Sequence, residues 1–315
     1  MKRREFITLI GGAAALGPLA ARAQQPERMR QIAFLMNTDE ADGETQRRLS
    51  AFRKGLHELG WIEGKNIRIE TRWGGGSPER VRAYAKELVQ SAPDVLVTNG
   101  TPSTAALQRE TSSIPIVFAV ITDPVSDGFA ASLSRPGGNI TGFSAYDSEM
   151  GGKWMELLKE VAPGVTRATL LFNPRTAPGG GTGLMRPFFD AAARTLAVEL
   201  VPMPILDPAG IERSLASHAA QPNAGLIAMP DGFVIVNSAL VIRVANELRL
   251  PAIYPFRFFA ANGGLMSYGV DTADLNHRAA SYVDRVLKGA NPADLPIHRP
   301  SSSWWSISRP PRRWN

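Results

Sequence analysis

The feature that most restricts what this chain can fold into is an alternation, made twice, of short apolar runs of strand length with amphipathic stretches of helix length. Strand-like runs separated by whole helices cannot pair as hairpins; they require parallel sheets with crossover helices. In the first half the runs fall at residues 32–36, 67–71, 95–97 and 114–119. Between the first two, Leu49, Phe52, Leu56 and Leu59 recur at helical spacing over 44–59 before Gly60 stops the pattern. Pro78 opens a second helix over 78–90, with Val81, Tyr84 and Leu88 on one face. The second half repeats the plan, with runs at 168–172, 200–204, 225–229 and 251–254 and helices near 183–196, 208–220 and 235–248.

This pattern predicts an α/β protein of two Rossmann-like lobes, each on a parallel sheet, joined by a hinge. The turn cluster of residues 135–143, rich in Gly and Pro, marks the first crossing. Lobe I is expected to take residues 30–143 with about 258–290, and lobe II residues 144–257. In open parallel sheets, ligands sit at the carboxyl ends of the strands, so the cleft between the lobes is the expected site.

Residues 97–104 run off a strand into a helix start. Gly100 allows a tight turn, Pro102 suits the first helical turn, and free backbone N–H groups there can receive an anion, with Asn99 beside them and Thr101, Ser103 and Thr104 adding hydroxyl donors. The alternative is an ordinary helix cap using Thr101. Asp123, after the next strand, either meets a ligand ammonium group or orders its own turn. Asn173, Asp231 and Tyr254 hold the equivalent strand ends of the second half and would close over a ligand. Tyr268 is a candidate wall, and Asp271 either touches ligand or caps a helix over about 274–287.

No Gly-x-Ser-x-Gly elbow, Walker loop or paired-His metal helix occurs, and there is no cysteine nucleophile. The absence of Cys removes disulfides and thiolate metal sites, and His57, His218, His277 and His298 show no ligand spacing, so neither a metal nor a cofactor is expected. Gly179, Gly180 and Gly181 lack the Lys-Ser/Thr of a phosphate loop and read as a turn.

The net charge of +6 suggests nucleic acid only until it is located. Lys2, Arg3, Arg4 and Arg22 against Glu5, together with Arg299, Arg309, Arg312 and Arg313, carry more than the whole excess, so the body is nearly neutral and nucleic-acid binding loses its support. The amino-terminal charges belong to an export signal: Arg3 and Arg4 precede an apolar run too short to span a membrane, which ends at Ala21, Arg22 and Ala23 in a small-x-small cleavage pattern. Residues 1–23 are thus expected to be a twin-arginine signal peptide, and the mature protein periplasmic.

In combination, the Asn99-Gly100-Thr101-Pro102 turn, Thr122-Asp123-Pro124-Val125, Asn173-Pro174, residues 250–254, the glycine-bounded run 263–269 and residues 287–296 resemble the ABC transporter substrate-binding proteins whose better-known relatives take tryptophan and other aromatic amino acids. The likeness spans about residues 30–297. It implies a type I periplasmic-binding-protein fold that captures a small solute, performs no chemistry on it and delivers it to a membrane permease and its ATPase. It also implies that a ligand carboxylate meets Thr101, Ser103 and Thr104, and that Asp271 or Asp123 takes the ammonium group. A two-domain nucleotide-sugar transferase and a solute receptor for a membrane sensor are the rival readings.

After Pro296 the chain departs from the family pattern, and residues 297–315 read as an aberrant tail holding three of the six tryptophans. A disordered basic extension, a membrane-surface anchor and a shifted reading frame are the three accounts of it. The last is preferred, because codons permitted by residues 300–315 can be read in another frame as a β-prone run followed by an amphipathic helix.

Overall fold

The computed structural model describes residues 28–177 and 185–300, and the backbone of 305–308. The expected signal peptide, with Arg3, Arg4, Ala21 and Ala23, and the turn at Gly179–Gly181 lie outside the described residues.

Lobe I opens with β1 (Arg30–Met36), α1 (Gly43–Glu58), β2 (Ile67–Trp73), α2 (Pro78–Gln90), β3 (Val95–Asn99) and α3 (Thr101–Glu110), then β4 (Ile116–Ile121) and β5 (Ile140–Ser144). Its five strands lie in the order β2-β1-β3-β4-β5 and every pairing is parallel. The helix starts obey local chemistry: the Asp42 side chain accepts from the Thr45 N–H at the head of α1, and Ser77 does the same for Arg80 ahead of Pro78 in α2. α3 differs, for Gly100 at φ +80° holds its N-cap position and no side chain caps it.

Lobe II contains α4 (Met150–Val161), β6 (Arg167–Phe172), α5 (Arg186–Leu196), β7 (Glu199–Pro204), α6 (Pro208–Ala219) and β8 (Ala224–Ala228). It continues through α7 (Gly232–Val236), α8 (Ser238–Glu247), β9 (Ala252–Tyr254), α9 (Arg257–Ala261) and β10 (Met266–Val270). The chain then returns to lobe I as α10 (Thr272–Leu287), which lies so close to α1 that a Cβ on Gly55 would stand 2.5 Å from the His277 carbonyl oxygen. The second crossing therefore falls between Val270 and Thr272, not near residue 258. Parallel pairing of Met266 with Ile253 and of Ser267 with Tyr254 holds β10 in the second sheet.

The tail also differs in part from expectation. Ile297 donates to the Leu133 carbonyl and His298 pairs with Phe143, so both extend lobe I. Beyond them β11 (Trp305–Ser308) runs antiparallel to β10, giving the second sheet the order β11-β10-β9-β8-β6-β7. Without β11, β10 would be an edge strand of this sheet, and the backbone groups of an edge can pair with an extended segment whatever its side chains.

One buried apolar cluster runs from Phe34 and Phe52 in lobe I through Tyr146 at the first crossing to Trp154 and Phe189 in lobe II. Each such aromatic contributes roughly 1.5–3 kcal/mol by leaving water, and of them Tyr146 reaches the cleft between the lobes.

Candidate functional site

The carboxyl ends of the two sheets face each other across a cleft of about 820 Å³. Its lips touch. Thr122, after β4, donates its hydroxyl to the Pro230 carbonyl oxygen at 3.1 Å, and a Cβ on Gly76 would meet Val236 of lobe II at 2.7 Å.

Five of the ten sequence-predicted residues line this cleft: Asn99, Thr101, Asp123, Asn173 and Asp231. Thr101 spends its hydroxyl on Asp127 Oδ2 at 2.9 Å instead of capping α3. Asp123 accepts from the Ser126 N–H at 3.1 Å, so it does order its own turn while facing the cleft. Asp231 is the N-cap of α7 and is buried; it accepts from the Val234 and Asn173 N–H groups and the Thr176 hydroxyl. Burial outweighs those donors and pushes its carboxyl up to about 6. Asp127 also stands at about 6, raised by burial against the Thr101 hydrogen bond, with the Asp123 charge adding to the rise.

The other five do not line the cleft. Ser103 and Thr104 are buried, and Thr104 returns its hydroxyl to the Gly100 carbonyl at 3.0 Å. A helix turns about 100° per residue, so the face of α3 holding Thr101, Ala105 and Gln108 meets the cleft while Ser103 and Thr104 face the sheet. Tyr254 is wholly buried and stacked on Phe259 at 5.0 Å; the ring that reaches the cleft is Phe256. The Tyr268 side chain is no wall of it, although its carbonyl accepts from Trp154 Nε1 at 2.8 Å. Asp271 caps α10 through the Ala273 N–H and pairs with Arg47 at 2.8 Å, closing the second crossing.

Sequence reasoning missed Arg48, Tyr146, Phe256 and Asp127, all of which line the cleft. Arg48 had a signal: it shares the apolar face of α1 with Leu49 and Phe52, where a charge has no place without a task. Tyr146 had none, because its position depends on where the first crossing turns. Val120 also lines the cleft, at φ +63° and beside a register shift between β4 and β5. A β-branched residue in that conformation is strained, and such strain persists only where surrounding structure enforces it.

The arrangement offers a buried carboxyl in Asp231, half-buried ones in Asp123 and Asp127, aromatic faces and the buried Arg48 cation; the hydroxyls that stand beside these carboxyls, Thr101 on Asp127 and Thr176 on Asp231, belong to threonines. Among the described residues no group of three or more His, Asp or Glu is placed to hold a metal, and no helix is long and apolar enough to cross a membrane.

Residues 40–308 match the family described as ABC transporter substrate binding protein. A tyrosine-binding protein of Clostridioides difficile (strain R20291) is 27% identical over 246 residues, covering 78% of this chain and 70% of that protein. Among solved structures, a conserved domain protein from Vibrio cholerae is 26% identical with a TM-score of 0.80, over 89% of this chain and 91% of that one. A domain from Streptococcus pneumonia in complex with L-Trp is 23% identical with a TM-score of 0.79, over 86% and 89% of the two chains.

Proposed function

The chain belongs to the ABC transporter substrate-binding protein family, and from that premise we propose that its cleft captures an α-amino acid, with an aromatic one foremost, in the periplasm. Members of this family bind solutes for ABC transporters and are not enzymes. The observation that carries the amino-acid reading is the composition of the cleft. Asp123, Asp127 and Asp231 supply carboxylates for an ammonium group, while Tyr146 and Phe256 supply aromatic faces for a flat side chain. The relatives named for tyrosine and bound to L-Trp favour the same class. Thr101, Asn99 and Asn173 complete the polar lining.

Closure of the lobes buries the solute, and the closed form is what a membrane permease and its ATPase would receive. The Arg3-Arg4 pair and the Ala21-Arg22-Ala23 site support export by the twin-arginine route. The test is a thermal-shift screen of the protein without residues 1–23 against amino acids, sugars and nucleotide-sugars. A solute that binds only the folded state raises the apparent Tm by mass action. Aromatic amino acids are expected to give the largest rise; no rise with any amino acid, beside turnover of a nucleotide-sugar, sinks the reading.

A further inference from the structure

Two buried polar atoms on the floor of the cleft have no partner among the described residues: Arg48 Nη2 and the Tyr146 hydroxyl. Arg48 is 4% and Tyr146 1% exposed, and both side chains line the cleft. They meet at the hinge. Tyr146 follows β5 at the first crossing, and Arg48 Nε donates to Thr272 Oγ1 at 3.1 Å at the second. Lobe II supplies the Phe256 and Phe258 rings, which stand 5.9 and 6.0 Å from the Arg48 guanidinium carbon. Phe256 is also edge-on to Tyr146, with centroids 5.8 Å apart.

Burial drives the Tyr146 phenol well above its ordinary value, and the Arg48 charge opposes that rise, so the two groups feel each other. Glu44 engages only the Nε edge of Arg48, at 3.3 Å. Its carboxyl is itself raised by burial but held below the usual range by Arg47, Arg48 and Thr272 together. The rest of the guanidinium fork remains unspent.

Folded proteins seldom leave one buried donor unmatched, and a Phe in place of Tyr146 would remove one such atom at no loss of packing. A guanidinium fork and a hydroxyl, both donors on one apolar floor, match a planar anion. Resting on the amino-acid reading of the cleft, we propose that the solute's carboxylate is received at the hinge by Arg48 and Tyr146 rather than at the start of α3. There it would tie α1 of lobe I to the crossing that leads into lobe II, so that the carboxylate rather than the side chain of the solute secures the closed form.

The test is calorimetric titration of the mature protein and of Tyr146→Phe and Arg48→Lys with L-tryptophan and with tryptamine, which lacks the carboxylate. Tryptophan binding should fall roughly ten- to hundredfold in each variant, the loss of a charge-assisted hydrogen bond, while tryptamine affinity stays within about twofold. Ligand-free Tyr146→Phe should melt no lower than the parent, which separates loss of contact from loss of fold. Equal tryptophan affinity in parent and variants overturns this assignment alone, as does a parent that binds tryptamine as tightly as tryptophan. The titration is repeated with L-tyrosine and tyramine; a parent that binds neither aromatic amino acid overturns the aromatic reading of the cleft and this assignment with it.

Discussion

Asn99 and Asn276 exchange amide hydrogen bonds across the base of lobe I: Asn99 Nδ2 donates to Asn276 Oδ1 at 2.9 Å, and Asn276 Nδ2 donates back to Asn99 Oδ1 at 3.2 Å. Both side chains are buried, and Asn276 adds a bond to the Thr272 carbonyl at 2.7 Å. The pair ties the end of β3 to α10, so Asn99 is first a structural residue and only secondarily part of the cleft lining. Asn276→Leu leaves the Asn99 amide unmatched in a dry setting and should cost about 1–3 kcal/mol. Urea denaturation with an unchanged m-value checks it; stability equal to the parent contradicts the structural role.

Asp127 makes ligand-free stability depend on pH. Its folded-state value of about 6 lies above the ordinary 3.8, so at intermediate pH the folded protein holds a proton that the unfolded chain has released. Stability from this group is full below about pH 4 and is lost as pH rises through about 6. Asp231, also raised to about 6, adds a slope of the same sign. Melting curves from pH 4 to 7 should therefore fall less steeply for Asp127→Asn than for the parent. Affinity for an ammonium-bearing solute should rise over the same window, as the carboxylate that faces it ionises.

The Thr122 to Pro230 bond joins the lips of the cleft. Thr122→Val keeps the shape and removes the donor, withdrawing about 1 kcal/mol from the closed form. Because apparent affinity scales with the population of the binding-competent state, Kd should rise, by up to about fivefold. Small-angle scattering of the ligand-free variant should show a larger radius of gyration. A parental Kd would mean that the bond does not hold the lips.

Gly269 is required by a close approach, since a Cβ there would lie 1.9 Å from the Pro255 carbonyl oxygen. Gly269→Ala must push β10 away from the turn that carries Phe256 and should cost at least about 3 kcal/mol, the upper range for overpacking. Gly138→Ala, whose Cβ would meet nothing within 4 Å, is the control and should leave Tm nearly unchanged.

The strands and helices were legible because their signals are local. Leu49, Phe52 and Leu56 mark the buried face of α1, Pro78 opens α2, and Gly60 ends the first helical pattern. Strand ends follow from strands, so Asn99, Asp123, Asn173 and Asp231 could be assigned to one cleft from their positions alone. The errors arose where direction mattered. Ser103 and Thr104 share a helix start with Thr101 but not its face, and Tyr254 sits at a strand end with its ring turned into the core.

By itself, then, the sequence determined two parallel-sheet lobes, a nearly neutral body and a cleft at the strand ends, since each depends on periodicity, turn chemistry and charge along the chain. Only the tertiary structure decided that β10 belongs to lobe II, that Asp271 is spent on Arg47, and that Arg48 and Tyr146 share the cleft floor. These are pairings between residues far apart in the chain. No local pattern encodes them, because they are set by how the crossings turn and by which buried donors are left without partners once the lobes have packed.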